Sequence, residues 1–207
     1  MRAAKIIRAN PHGGLLLVTV SHPRYCYLIE GHPMASHQRQ YLDEQIRFAE
    51  ALDPEIREKL RVRLYLIDYG WGQMSRRQER LPDTYFDEIG QNLEKSINQN
   101  RLVIGTYNGT HFIETLAANV PTVMCWNSNN YWEIHKSAQP YFDQMEEVGI
   151  FHRTPESAAA HIERIWNDVQ GWWQQENVQQ ARKDFCDQYA LTSSNWLMQW
   201  KQAVQKN

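Results

Sequence analysis

A chain of 207 residues, 42% hydrophobic and 12% aromatic, can bury one substantial core, with room for a small appendage. Its 22 Lys and Arg nearly balance 24 Asp and Glu, for a net charge of −2, and no block of like charge appears; this argues against nucleic acid or a polybasic membrane patch as partner. Cys26, Cys125 and Cys186 are odd in number and lack ligand spacing, so they read as reduced cytoplasmic thiols rather than a disulfide framework, and the apolar run Leu15–Val20 is too short to span a bilayer.

The first fourteen residues, ending in Asn10, Pro11, His12, Gly13 and Gly14, read as a lead-in. Leu15–Val20 is a first strand, left through Ser21, His22, Pro23 and Arg24, with a further break at Gly31 and Pro33. From Gln38 to Leu52 apolar residues recur at helical spacing, and Asp53 and Pro54 end that helix. Val62–Ile67 accumulates apolar residues as a buried strand does, and Asp68–Gly72 forms the loop at its end. Phe86, Ile89, Leu93 and Ile97 predict a helix over 86–98. Leu102–Gly105 is a short apolar strand, Thr110 opens a helix that has ended by Pro121, and Thr122–Trp126 is another strand. Helices over 137–148 and 154–169 flank a short strand at 149–152. Thr154, Pro155 and Glu156 combine a hydroxyl cap, a proline at the first helical position and an early acid. Helices over 174–189 and from Asn195 finish the chain. Eight tryptophans, concentrated in the second half, imply a large apolar surface that needs cover.

Strands alternating with helices predict a Rossmann-like α/β fold: a mostly parallel sheet flanked by helices, with extra C-terminal helices. The expected organisation is a lead-in over 1–14, a ligand-binding domain over 15–170 and a helical extension over 171–207. In such sheets ligands sit at the carboxyl ends of the strands. Four polar loops end there: Ser21–Arg24, Asp68–Gly72, Thr106–Thr110 and Asn127–Trp132.

Thr106, Asn108, Gly109 and Thr110 offer hydroxyls, an amide and a close backbone approach at a helix N-terminus, the pattern suited to a phosphate; read blandly, Thr110 is only a helix cap. Glu114, one turn into that helix, can accept hydrogen bonds from a ribose diol, or merely favour the helix dipole. Arg24 can pair with a phosphate and His22 can donate to it. Asp68, Tyr69, Gly70 and Trp71 can frame a base, or cap the sheet edge. Arg76 and Arg77 read as solvated. Asn127 and Asn129 are candidate sugar contacts. No P-loop, no Gly-x-Ser-x-Gly and no His-Glu-x-x-His is present, and the eight histidines are scattered, so no metal is expected.

Glu114, Ala117, Pro121 and Val123 resemble the Glu-x-x-Ala-x-x-x-Pro-Val-Val signature in the C-terminal domain of two-Rossmann-domain (GT-B) glycosyltransferases. The resemblance implies that Glu114 binds the donor ribose. The position eight residues earlier, a second acid in many retaining members, is Thr106 here; that departure leans toward branches with a Ser/Thr-rich loop. Over residues 15–195, and especially Val62–Tyr65 with Asp68–Trp71, Gly105–Asn119, Phe151 and His152 with Thr154–Ala159, and Trp166–Val169 with Trp172 and Trp173, the chain is similar to the C-terminal half of bacterial transferases encoded in O-antigen and surface-polysaccharide gene clusters. This implies a nucleotide-sugar donor as substrate, no tightly bound cofactor, and a glycan or lipid-linked acceptor. It also implies a cytoplasmic location peripheral to the inner membrane. The acceptor-binding N-terminal domain is expected to lie outside this chain, on a partner or in a homo-oligomer, and no residue is assigned as catalytic. A nucleotide-sugar 2-epimerase relative and a non-catalytic nucleotide- or partner-binding module are the alternatives.

Overall fold

Leu15, Leu16 and Leu17 have no exposed surface, so the first strand is covered on both faces, as parallel sheets require. In the computed structural model, which describes residues 7–24, 35–127, 132–190 and 196–205, this strand is β1 (Gly14–Val18), near the centre of a six-stranded sheet. The other strands are β2 (Leu60–Arg63), β3 (Tyr85–Phe86), β4 (Asn100–Gly105), β5 (Thr122–Cys125) and β6 (Phe151–His152). They run in the order β3-β2-β1-β4-β5-β6, and every pairing is parallel. This is the doubly wound Rossmann order, in which the chain reverses its direction of travel between β1 and β4.

The helices are α1 (Ala35–Ala51), α2 (Pro54–Arg57), α3 (Gln73–Arg80), α4 (Leu93–Ile97), α5 (Thr110–Ala117), α6 (Gln139–Glu147), α7 (Pro155–Ile165), α8 (Val169–Trp173), α9 (Glu176–Tyr189) and α10 (Trp196–Gln205). Strand residues of alternate parity feed two cores. Leu15, Leu17, Val62, Leu102 and Ile104 pack with Phe48 and Leu52 of α1 and Ala158 and Ile162 of α7. Leu16, Val18 and Val103 face the other way, onto Ile97 and Val120. Exposed ion pairs tie α1 to its neighbours: Arg47 meets Glu156 of α7 at 2.6 Å, and Arg80 of α3 meets Glu50 at 2.7 Å.

Three expectations change. The strand expected over 62–67 stops at Arg63, because its partner β1 ends at the Val18–Arg63 pair; Leu66 beyond it is 66% exposed. The helix expected over 86–98 shrinks to α4. Tyr85 and Phe86 pair with β2, Gly90 takes a left-handed turn at φ 82, and Asn92 accepts the Glu94 N–H as a new cap. The helix from Pro155 ends at Ile165 in a 3₁₀ turn over Trp166–Asp168, and Asp168 then caps α8 through the Gly171 N–H at 2.8 Å.

The tryptophans are also placed differently. Trp126, Trp166, Trp172 and Trp173 are buried in the chain's own core. The Trp172 indole donates to the Val148 carbonyl and that of Trp173 to Asn119, so both polar tips are satisfied. Trp200 on α10 is 67% exposed. Among the described residues, no helix is long and apolar enough to cross a membrane.

Candidate functional site

The reversal between β1 and β4 brings the loops after these strands side by side, and a buried latch joins them. The Tyr41 hydroxyl of α1 accepts the Val20 N–H at 3.0 Å and lies 2.8 Å from Thr106 Oγ1, which donates to the Val18 carbonyl at 2.8 Å. Each donor is used once if Tyr41 donates to Thr106 and Thr106 to Val18. Burial raises the Tyr41 pKa well above the phenol range, so the hydroxyl keeps its proton and the chain of bonds stays intact. The space left beneath the latch is about 10 Å³, too small to hold more than one water. The Thr106 hydroxyl therefore ties strands together, and a ligand must sit outside this point.

Around the latch stands a group of rings. Trp132 contacts His22 at 5.7 Å, Tyr41 at 6.2 Å and Tyr107 at 5.9 Å between centroids. It thereby links the β1 loop, α1 and the β4 loop. Tyr107 in turn stacks on His111 at 4.3 Å. Desolvation, with the charges of Tyr65 and Glu114, pushes Tyr107 up to about 12, and burial alone pushes His111 down to about 3. Both rings are therefore neutral near pH 7.

The sequence-expected residues fall into two groups at this edge. In the first, the Trp71 indole donates to the His22 carbonyl at 2.7 Å, and the Arg24 guanidinium lies over the Trp71 ring at 5.8 Å and 3.5 Å from the Gly70 carbonyl. Asp68 accepts the Gly72 and Gln73 N–H groups at 2.7 and 2.9 Å, so its carboxylate caps α3. The turn between them carries Tyr69, Gly70 and Gly72 at φ 55, 79 and 62. A left-handed tyrosine is unusual, and such conformations gather where loops are held for function.

In the second group, Asn108, Thr110 and Glu114 are exposed on the loop after β4 and the first turns of α5. The N-cap Gly109 provides no side-chain acceptor, which leaves the first N–H groups of α5 aimed at the edge of the sheet. Gly109 is extended, and a Cβ there would strike the Tyr107 ring, so the glycine serves a ring contact within the fold. Beside this turn lies a cavity of about 240 Å³, walled by Asn108, Ile113, His135, Phe142, Phe185 and Tyr189 among others. The signal missed in the sequence is the aromatic spacing of α9, which reads as a polar helix yet sends Phe185 and Tyr189 to this wall. Asn127 lies at the end of β5, while Asn129 and Cys26 fall outside the described residues. Cys125 and Cys186 are free thiols. Among the described residues, no three His, Cys, Asp or Glu side chains gather as a metal-binding group.

Arg77 departs most from expectation. It is 1% exposed, and its Nε and Nη2 have no hydrogen-bond partner. Arg76 stays exposed at the surface, donating to the Trp71 carbonyl at 2.8 Å.

No curated protein and no solved structure matches the chain. The sequence profile of the LIC12162 family transferases matches residues 2–204, nearly the whole length. This chain therefore belongs to the LIC12162 family of transferases.

Proposed function

We propose that this transferase uses a nucleotide-sugar donor in bacterial surface-polysaccharide assembly, and that the chain supplies the donor-binding half. The observation that carries the reading is Glu114, exposed one turn into α5, a helix whose first N–H groups lack a side-chain cap at the carboxyl edge of a Rossmann-ordered sheet. An anionic diphosphate is stabilised by those N–H groups and the helix dipole, with Asn108 and Thr110 adding donors. The carboxylate of Glu114 accepts hydrogen bonds from the ribose diol. The cavity beside Asn108 receives the base on its aromatic wall. Arg24 and His22, held at the β1 tip through Trp71, offset charge on the leaving group. Thr106 contributes by fixing the loop through the latch. The acceptor comes from a second, N-terminal domain or subunit.

The test is calorimetric titration of nucleoside mono- and diphosphates against wild type and Glu114→Ala. Loss of two ribose hydrogen bonds to a charged acceptor weakens binding by at least about tenfold. Equal affinity of a folded Glu114→Ala for every nucleotide refutes the assignment. Epimerisation of free donor without acceptor would move the protein to the 2-epimerase relatives.

A further inference from the structure

A guanidinium with two unpartnered nitrogens in a protein interior is costly, and proteins keep such charges where something pairs with them. Arg77 is that case, and burial pulls its pKa down to about 10, which still leaves it charged at neutral pH. Its surroundings are short of acceptors. Gln73 lies one turn earlier on the same face of α3, and Gln38, Tyr41 and Gln45 follow one another along α1, which packs against α3. All are buried; the Gln38 and Gln45 Nε2 groups also lack acceptors, and Gln45 Oε1 is the fully buried acceptor among these side chains that has no donor. The Tyr41 hydroxyl is already used by the latch.

This donor-rich interior has a mouth. Gln38 and Gln73 line a cleft of about 500 Å³ between α1 and α3, with Trp71, Leu42 and Ile46 as its apolar wall. At its rim three arginines, Arg39, Arg76 and Arg80, face two carboxylates, Asp43 and Glu79. Asp43 is shared between Arg39 and Arg80 at 3.9 Å each, and Arg80 is held mainly by Glu50, so the rim charges balance and the uncompensated charge is that of Arg77 on the buried side of α3. The size suits a small organic molecule rather than an ion alone.

We propose that the α1/α3 cleft is an oxyanion-binding subsite, in which the amides of Gln38 and Gln73 guide a phosphate or carboxylate group of a small ligand toward the buried charge of Arg77. It is separate from the donor site at α5 and stands whether or not that site binds a nucleotide.

Thermal melts with increasing inorganic phosphate, acetate as the carboxylate arm, and chloride at matched ionic strength test this. Wild type shows a saturable rise in Tm with phosphate or acetate and none with chloride; the stronger arm identifies the group. Arg77→Met, which fills the same space without charge, keeps or raises Tm in buffer and weakens the response by at least about tenfold. Gln38→Leu weakens it too, and serves if Arg77→Met does not fold. Glu114→Ala leaves it unchanged. The proposal is overturned if wild type shows no saturable response, if both cleft variants respond as wild type does, or if Glu114→Ala abolishes the response. It is equally overturned if Arg77→Met folds but melts well below wild type in buffer, since the guanidinium would then be serving the fold itself.

Discussion

At the residue scale, single buried polar groups hold the carboxyl edge of the sheet. Tyr41 joins α1, β1 and β4 through one hydroxyl. Tyr41→Phe leaves the Val20 N–H without an acceptor and Thr106 without a donor, so denaturant melts should show a loss of about 1–3 kcal/mol. The buried histidines set a pH dependence. His111 is pushed down to about 3 and His161 to about 4 from 6.5, each chiefly by burial. On acidification the unfolded chain takes up protons that these folded sites refuse. Stability therefore falls as the pH drops below about 6.5, and the loss from each site ends at its folded pKa. Urea melts between pH 7 and pH 5 should show this slope, and His111→Phe, which preserves the stack on Tyr107, should flatten it.

At the element scale, the β2–α3 connection shows how a loop reading converts into a helix-capping reading. The Asp68 carboxylate binds the first N–H groups of α3, and the same turn delivers Trp71 to His22. Asp68→Ala should cost about 0.5–2 kcal/mol in stability, with Asp68→Asn recovering only part of it, since its single amide oxygen can accept one of the two N–H groups. Because α3 also carries Arg77 and Gln73, the Asp68→Ala variant should bind phosphate more weakly as well as melt earlier. Both α3 and α5 start at a glycine with no side-chain cap of its own, but Asp68 accepts the first N–H of α3, while among the described residues no side chain caps α5. That difference supports the proposed phosphate site at α5 rather than at α3.

At the scale of the whole molecule, one apolar cluster extends from Leu15 of β1 to Phe185 of α9. The indole of Trp173 anchors α8 to the turn after α5, where Asn119 holds a left-handed φ of 56. Trp173→Ala should destabilise the chain by about 3–5 kcal/mol in denaturant melts, the cost of emptying a large buried site. The aromatic residues of the second half are thus mostly internal. Among the described residues, apolar side chains left in water include Leu197, Trp200 and Val204 of α10, and Leu66, Ile67 and Ile89 in the loops after β2 and β3.

The sequence by itself determined the class of fold and the place of the edge. Leu15–Val18 and Leu102–Gly105 are apolar on both faces, which only a covered parallel sheet accommodates, and polar loops follow them. The helix stop at Pro121 was legible for the same reason: its signal is local, set between one helix and the strand after it. What tertiary structure decided is where a side chain spends its hydrogen bonds. Thr106 and Asp68 look like ligand contacts in the sequence, yet the Thr106 hydroxyl is spent on β1 and α1, far away in the chain, and the Asp68 carboxylate on the start of the helix that follows it. Arg77 looks solvated, yet α1 closes over it. Partners as far apart as Thr106 and Val18 leave no periodicity to read, because burial is set by which elements the sheet order brings together.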